Sequence, residues 1–381
     1  MLACQRHLFD IPDDVAYLNC AYMSPLMKPV IEAGNVGLAR KAHPWELTAP
    51  EFFTGSDEFR AAAARILDCP ADSVAIVSSA GYGIQTAALN LPVRKGQSVL
   101  VLDEQFPSNY HPWQRLANEN GASLKVVSWP GNHDWTAAVL SALTPDVAVA
   151  ALPHVHWTSG GLLDLVRIGQ VCRQIGAALA LDLTQSLGVM PFSVRDVQPD
   201  FAVAASYKWL LGPYSVGVLY VAPKWHNGTP LEEGWIQRAN ARDFSSLILY
   251  CDDYDVGARR FDMGERSNFA LLPAAVCAMN QIMEWGVGEI SETSGAMNRR
   301  LAEAAAELGF AAPSEPLRAP HYLCLRRKEG VSLELAQALA REKIFVSIRG
   351  TSMRVTPHVY NTASDAERLI SCLRKAAPPL A

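Results

Sequence analysis

Short apolar runs recur between about Ser73 and Val221, and segments with helical spacing separate most of them. Runs of this length and near-continuous apolar character are typical of strands in a sheet that is buried on both faces. A helical segment such as Leu165–Ile175 places its apolar residues on one face. The pattern predicts a mainly parallel, doubly wound α/β domain. The predicted strands are Val74–Ser78, Ser98–Leu102, Leu124–Ser128, Val147–Leu152, Ala177–Leu181, Phe201–Ala204 and Val216–Val221.

The pattern changes after about Gly257, where helices become longer and strands fewer. The predicted helices are Leu271–Trp285, Ala296–Leu308, Leu333–Glu342 and Ala363–Lys375, and the predicted strands are Tyr322–Leu325, Ile344–Ile348 and Met353–Thr356. This order favours a smaller α+β domain at the C-terminal end. We therefore expect a large domain over residues 25–256, and a small domain built from residues 1–24 and 257–381.

Composition narrows the class of protein. Half of the 381 residues are apolar and 19% are charged, so the chain can bury a large core. The net charge is −5, no basic run occurs, and no apolar stretch approaches the roughly 20 residues of a membrane span, so we expect neither nucleic acid nor membrane as a partner. Eight scattered cysteines, without a Cys-x-x-Cys pair or an apolar leader, favour reduced thiols in a cytoplasmic protein.

Two charged residues follow apolar strands. Asp182 comes where the strand Ala177–Leu181 ends, and Lys208 comes shortly after Phe201–Ala204. The carboxyl ends of strands are where ligands bind in a doubly wound sheet, and a lysine there can act as an amine nucleophile towards a carbonyl. Together the pair suggests pyridoxal phosphate (PLP), with Lys208 in an internal aldimine and Asp182 keeping the pyridine nitrogen protonated. A helix cap and a surface ion pair are the alternatives for the two residues taken separately.

A phosphate-binding turn is predicted at Ser78–Gly83, between a strand and a helix that begins near Ile84. Its small residues would let backbone N–H groups approach an anion at the helix N-terminus. The segment is neither Gly-x-Gly-x-x-Gly nor a P-loop, which disfavours dinucleotide and nucleoside triphosphate ligands.

With Phe-Pro-Ser-Asn at 106–109 and Arg-Val-Thr-Pro at 354–357, these segments resemble the class V aminotransferase family of fold-type I PLP enzymes. The motif spacing is most similar to the kynureninase-like, epimerase and C–S lyase branch. The resemblance runs from Tyr17 to Thr362, nearly the whole chain. It implies the fold-type I architecture, a small amino-acid substrate, and a homodimer with active sites at its interface.

The resemblance also implies roles for individual residues. Lys208 would be the Schiff-base lysine and Asp182 the partner of the pyridine nitrogen. Gln185 would lie near the ring hydroxyl, and Ala80 and Gly81 would donate backbone N–H groups to the phosphate.

Three further cofactor contacts are implied, each with a structural alternative. Tyr207 would add its hydroxyl to the phosphate site, although it could be a packed aromatic. Phe106 would stack on the pyridine face, or it is an ordinary core aromatic. Asn268 would reach the cofactor of the other subunit, or it is a helix N-cap.

Arg354 is the predicted contact of the substrate. It lies in a short apolar strand, where a half-buried guanidinium needs a planar anion for bidentate pairing. In the family that the chain resembles, this position holds the α-carboxylate of an amino acid. An internal salt bridge is the alternative.

The segment after Val147–Leu152 supplies further candidates for the substrate pocket. We expect His156 and Trp157 of this segment, and Asn19 from the N-terminal segment, to line the substrate pocket. His154 and His156 could form part of a zinc site, but no third ligand is apparent near them, so we expect no metal.

Differences between this sequence and the motifs of particular family members narrow the range of possible reactions. Gln185 stands where kynureninase has a histidine, and His156 where it has a glutamine. The run Val346–Arg354 is too short for the cysteine-bearing loop of a cysteine desulfurase and contains no cysteine. We expect an aminotransferase-like enzyme that is not a cysteine desulfurase. A PLP-dependent lyase, hydrolase or epimerase, and a catalytically inactive binding protein on the same fold, stay open as alternatives.

Overall fold

The computed structural model describes residues 1–328 and 330–376, so residue 329 and residues 377–381 of the predicted small domain lie outside the described residues. The strands are β1 Ala16–Tyr17, β2 Val74–Val77, β3 Ser98–Leu102, β4 Ser123–Val127, β5 Val147–Pro153, β6 Ala178–Asp182, β7 Phe201–Ala205, β8 Gly217–Val221, β9 Leu323–Arg326, β10 Ile344–Phe345, β11 Ser347–Arg349 and β12 Ser352–Val355. The helices are α1 Lys28–Ala39, α2 Glu51–Leu67, α3 Ala80–Asn90, α4 His111–Glu119, α5 Trp135–Ala142, α6 Leu165–Ile175, α7 Val194–Val197, α8 Leu271–Trp285, α9 Val287–Ala306, α10 Leu333–Arg341 and α11 Ala363–Ala376.

The large sheet has the strand order β2-β8-β7-β6-β5-β3-β4. Its strands run parallel except β8, which pairs antiparallel with both β2 and β7. The predicted mainly parallel α/β fold is therefore confirmed, and each predicted strand of this sheet lies within one residue of its position in the structure.

Alternate residues of the strands of the large sheet, except the edge strand β4, enter different cores. In β2, Val74 and Ile76 pack into the core that includes α2, α6 and α8, whereas Ala75 and Val77 pack into the core beneath α3 and α4. This two-sided burial explains why the strands are continuously apolar. Among the described residues, no helix has the length and apolar character needed to cross a membrane.

The smaller α+β unit is built around the antiparallel order β11-β12-β9, and β1 pairs in parallel with β10. Its core joins Leu18, Leu301, Leu323, Met353 and Leu369. The structure differs from the prediction in two places. Helix α9 begins at Val287 instead of Ala296, and the strand predicted at Ile344–Ile348 is divided into β10 and β11.

Helix α8 was assigned to the small domain by the sequence, and in the structure it packs against α1 and α2. The 3₁₀ turn Gly257–Phe261 likewise lies against β2. The division into 25–256, and 1–24 with 257–381, stays a prediction.

Helix α3 packs unusually close to the sheet because of Gly83. A Cβ at this position would lie 2.6 Å from Cγ2 of Val203 on β7. Real Cβ atoms do not approach this closely, so glycine is required here. The close packing holds the N-terminus of α3 against the carboxyl ends of the strands.

Candidate active site

A cavity of about 180 Å³ lies at the carboxyl ends of β2, β3, β5, β6 and β7, where the parallel strands deliver their following loops. Most of the residues that the sequence singled out line it. These are Ala80, Gly81, Phe106, Trp157, Asp182, Gln185, Tyr207 and Lys208.

Lys208 lies in the loop between β7 and β8, and its side chain is almost fully buried. Burial lowers the pKa of its amine to about 8, with the nearby Asp182 carboxylate opposing the shift and the Arg354 guanidinium adding to it. A lysine with a lowered pKa holds a larger neutral fraction near neutral pH, and the neutral amine is the nucleophile.

Asp182 is the last residue of β6, and its carboxylate is buried. Its Oδ1 accepts a hydrogen bond from the backbone N–H of Thr184 at 3.0 Å. Burial nevertheless raises the pKa of the carboxyl group. A buried carboxylate in this environment is stabilised by a cation in the cavity.

The N-terminus of α3 forms one end of the cavity. The Ser79 hydroxyl caps the helix by accepting a hydrogen bond from the N–H of Tyr82 at 3.1 Å. The N–H groups of Ala80 and Gly81 belong to the first turn, which has no intrahelical acceptors for them. Ser108 lies against Gly81, since a Cβ on this glycine would be 3.6 Å from the Ser108 Cβ. This end of the cavity is suited to an anion.

Aromatic rings form two walls. The Lys208 Nζ lies 5.6 Å from the centre of the Phe106 ring and 5.5 Å from that of Tyr207. Phe106 meets Trp157 edge to face at 5.4 Å, and Tyr207 lies 4.5 Å from the ring of Tyr214. Burial raises the pKa of the Tyr207 hydroxyl to about 12, so the group is a neutral donor. Their stacking and phosphate-binding roles stay predictions.

Arg354 lies on β12, buried and outside the cavity lining, with its guanidinium 5.6 Å from the ring centre of the lining residue Trp157. Its Nη1 donates to the Trp157 carbonyl at 3.0 Å and to the Tyr322 hydroxyl at 3.2 Å. In residues 1–328 and 330–376, Arg354 forms no ion pair with a carboxylate, so the structure does not contain the salt bridge of the alternative reading. Its Nε is buried and has no hydrogen-bond partner in those residues. The guanidinium charge therefore has no carboxylate counter-ion among the described residues.

His156 does not lie where the sequence predicts it. The ring is fully buried outside the cavity lining, 4.6 Å from the Trp135 ring and 5.3 Å from the Trp129 ring. Its nitrogens bond the Ser159 hydroxyl and the Asp103 carbonyl, each at 3.0 Å. The chain turns after β5, and this reversal directs His156 into an aromatic core, where it has a packing role.

Asn19 and Asn268 also lie outside the cavity lining. The Asn19 Oδ1 accepts a hydrogen bond from Ser347 at 2.7 Å, on the strand that pairs with Arg354. The Asn268 Oδ1 accepts from the N–H groups of Ala270 and Leu271 at 3.1 and 2.8 Å, which is the geometry of a helix N-cap. Contacts of either residue with substrate or with a partner's cofactor stay predictions.

Several lining or supporting residues were missed by sequence reasoning. Ser108 and Tyr214 line the cavity, Thr184 bonds both Asp182 and the N–H of Ala205, and Tyr322 supports Arg354. Ser108 and Thr184 lie within motifs already noted. Tyr322 lies far from the other site residues along the chain and carries no local signal.

No cysteine lines this cavity among the described residues. Cys20 lies close to Lys208, with its Sγ 3.7 Å from the Lys208 carbonyl, but the thiol is fully buried and burial strongly raises its pKa. Cys324 lies opposite Arg354 on β9 and is also buried with a raised pKa. Neither thiol is suited to act as a nucleophile.

The sequence is similar to those of known proteins over most of its length. The family described as Aminotransferase class-V matches residues 43–369. The uncharacterized aminotransferase YcbU of Bacillus subtilis (strain 168) is 24% identical over 383 residues, which cover 96% of this chain and 95% of that protein. Kynureninase of Bacillus anthracis is 24% identical over 360 residues, which cover 90% of this chain and 81% of that enzyme.

The fold is also shared with solved structures. The apo structure of cysteine desulfurase from Thermococcus onnurineus NA1 matches with a TM-score of 0.84 at 19% identity, covering 99% of each chain. This likeness confirms the predicted fold-type I architecture. Because the family match spans most of the sequence, the chain belongs to the class V aminotransferase family, and its cofactor is pyridoxal 5′-phosphate.

Proposed function

We propose that this enzyme acts on an α-amino acid through PLP joined to Lys208, in an aminotransferase-like reaction. The observation that carries the proposal is the composition of one cavity. A lysine with a lowered pKa and a buried carboxylate line it, and Arg354, which has no acidic partner among the described residues, lies against Trp157 of the lining.

The residues present fit the cofactor. The N-terminus of α3 suits the phosphate, Asp182 suits the pyridine nitrogen, and the Lys208 amine suits the aldehyde. A protonated pyridine nitrogen would place a cation beside the buried Asp182 carboxylate and so stabilise its charged form. Phe106 and Tyr207 bound the space between them.

PLP, when bound, withdraws electrons from the substrate Cα and so makes the bonds to that atom easier to break. Arg354 would bind the α-carboxylate and so fix the orientation of the substrate. When the substrate's amino group takes the place of the lysine on the cofactor, the Lys208 amine would be released. The free Nζ would then remove the proton from Cα and return one during the reaction, since a lowered pKa leaves part of the amine neutral near neutral pH.

A lyase or hydrolase reaction is the second candidate. The likeness to kynureninase over most of the chain supports it. Both reactions begin with the same handling of the Cα proton, so the residues named so far serve either. The products separate them, because transamination leaves a keto acid whereas elimination or hydrolysis releases ammonia, pyruvate or alanine.

We further propose that the enzyme is not a cysteine desulfurase. The turn between β11 and β12, at Gly350 and Thr351, is short and has no cysteine, and the described cavity lining has none. A solved structure named as a cysteine desulfurase shares the fold, so an experiment must test directly whether this enzyme releases sulfur from cysteine.

A panel of amino acids mixed with the PLP-loaded enzyme tests these proposals. Stopped-flow spectra combined with mass detection should show keto acid together with the aminated cofactor. Ammonia together with pyruvate would instead support the lyase, and alanine without ammonia would support the hydrolase. Alanine and sulfide from cysteine with a thiol reductant would contradict the exclusion of desulfuration, and a colourless, unreactive protein would support a binding protein without catalysis.

We also propose a homodimer with the active sites near its interface. Tyr214 lines the cavity, yet 60% of its surface is exposed to solvent in the single chain. An apolar segment also lies on the surface, where the exposed fractions of Ile248, Leu249 and Tyr250 are 84%, 67% and 99%. A second copy would bury such residues. Size-exclusion chromatography with light scattering should give twice the chain mass of 41.4 kDa. The mass of a single chain would contradict the proposal.

A further inference from the structure

Gln185 is held in place by hydrogen bonds with three segments that are distant along the chain. Its Oε1 accepts from the Trp209 Nε1 at 2.9 Å, and its Nε2 donates to the Ala21 carbonyl at 3.2 Å. Its backbone carbonyl accepts from the His321 Nε2 at 2.7 Å. Trp209 and His321 are both fully buried, and neither lines the cavity.

These partners fix which way the amide points. An indole N–H can only donate and a backbone carbonyl can only accept, so the amide oxygen must face Trp209 and the amide nitrogen must face Ala21. Ala21 accepts one of the two hydrogens of the amide nitrogen. The other is left for a partner in the cavity that Gln185 lines next to Asp182. Gln185 therefore offers a donor to a ligand, and not an acceptor.

His321 supports the same arrangement from the side. Its Nε2 must carry the hydrogen that bonds the Gln185 carbonyl, since a carbonyl cannot donate. Its ring contacts Trp209 edge to face at 4.5 Å. Burial lowers the pKa of His321 to about 4, so the ring is neutral at ordinary pH and keeps this tautomer. His321 thus fixes the backbone of Gln185 and packs against the indole that fixes its side chain.

We propose that Trp209 and His321 are positioning residues, which orient Gln185 as a hydrogen-bond donor to the ring oxygen of PLP. The inference rests on the proposed function, because it requires PLP joined to Lys208. A donor to the ring oxygen competes with the proton of the lysine–cofactor linkage for that oxygen. The orientation of Gln185 should therefore lower the pH at which the visible band of the resting enzyme titrates.

The test is a pH titration of the visible absorbance of the resting, PLP-loaded enzyme, without substrate. Trp209→Phe keeps an aromatic ring but removes the N–H, and the midpoint should rise by roughly half to one pH unit, the size of one lost hydrogen bond. Gln185→Leu should raise the midpoint similarly. Trp209→Phe combined with Gln185→Leu should cause no shift beyond that of Gln185→Leu, since the two residues act through one contact.

Trp135→Phe is the matched control. Trp135 is equally buried, its indole N–H has no partner among the described residues, and it lies outside the cavity lining. Its midpoint should equal that of the parent. Gln185→Glu is a second variant that keeps an acceptor for Trp209 but replaces the donor by an acceptor, so its midpoint should rise further than that of Gln185→Leu.

An unchanged midpoint in Trp209→Phe, or equal shifts in Trp209→Phe and Trp135→Phe, would overturn this inference but leave the proposed function standing. A midpoint that falls in Gln185→Glu would also overturn it. The absence of any visible band in the PLP-treated parent would contradict the proposed function, and this inference with it.

Discussion

The side-chain nitrogen of Lys208 lies 5.6 Å from the centre of the Phe106 ring. A flat ring joined to that nitrogen would therefore lie within reach of the aromatic face. Phe106→Leu should raise the dissociation constant of PLP by roughly twofold to tenfold, because it removes the aromatic stacking but keeps an apolar side chain. Equilibrium dialysis of the cofactor measures the change.

Phe52→Leu is a suitable control for Phe106→Leu. Phe52 makes edge contacts with Phe244 and Phe269 and lies outside the cavity lining, so its loss should leave PLP affinity unchanged. Equal affinity of the parent and Phe106→Leu would show that Phe106 is only a packing residue.

The reactivity of Lys208 should follow its lowered pKa. Burial favours the neutral amine and brings the pKa from 10.5 to about 8. The rate of Lys208 acetylation in the cofactor-free enzyme should therefore increase with pH, with a midpoint near pH 8, and level off about one pH unit higher. Peptide mass spectrometry measures the rate, with exposed Lys95 as the internal reference.

Two variants test the causes of that shift in opposite directions. Arg354→Leu removes a positive charge that disfavours the ammonium, so the midpoint should rise. Asp182→Asn removes a negative charge that favours the ammonium, so the midpoint should fall. Shifts of the same sign in both variants would contradict this electrostatic account.

Arg354 should matter for substrate but not for cofactor. Arg354→Leu should raise KM for amino acids by about tenfold or more, the size of a lost charge-assisted pair. PLP content should change little, since Arg354 bonds Trp157 and Tyr322 and not the phosphate end of the cavity. Arg326→Leu, which removes an arginine from the neighbouring strand β9, controls for loss of a nearby charge. Equal turnover of amines that lack a carboxylate by the parent would refute the role.

Acid should destabilise the fold through its buried histidines. Burial lowers the pKa of His154 and His358 to about 3, and of His156 and His321 to about 4. In the unfolded chain these groups bind protons below about pH 6.5. The unfolded state therefore binds more protons between about pH 6.5 and pH 4, and the free energy of unfolding decreases as pH falls through that range, by about 1 kcal/mol per histidine at pH 5.5.

Urea unfolding at several pH values checks this slope. His358→Phe should make the slope shallower, because His358 is buried, stacks on Tyr360, and has no partner for either ring nitrogen within the described part of the chain. His7→Phe changes an exposed histidine and should leave the slope as it is. A free energy that stays constant between pH 7 and pH 4.5 in the parent would contradict the prediction.

The strands of the large sheet could be predicted from the sequence because burial on both faces leaves a local signal. Helix α9 was harder to predict. Gly288 and Gly295 weaken its helical propensity, yet Ile290, Ser294 and Gly295 are buried and packing extends the helix. A Cβ on Gly295 would lie 3.1 Å from the Pro320 Cβ, a contact that no local pattern contains.

The candidate site divides in the same way. Asp182 and Lys208 could be found because each follows an apolar strand, and parallel strands bring their carboxyl ends together. The environment of Arg354 could not be predicted, because Trp157 and Tyr322 reach it from other elements. His156 was misplaced because Val155 bridges to Leu162, which reverses the chain where the pattern of β5 had suggested a continuing wall.

Reduction of the PLP-loaded enzyme with borohydride, followed by peptide mass spectrometry, tests the central claim most directly. We predict a stable pyridoxyl adduct on Lys208 in the parent and its absence in Lys208→Ala. An adduct on a different lysine, or an unchanged spectrum and label in Lys208→Ala, would contradict the assignment of this cavity as the active site.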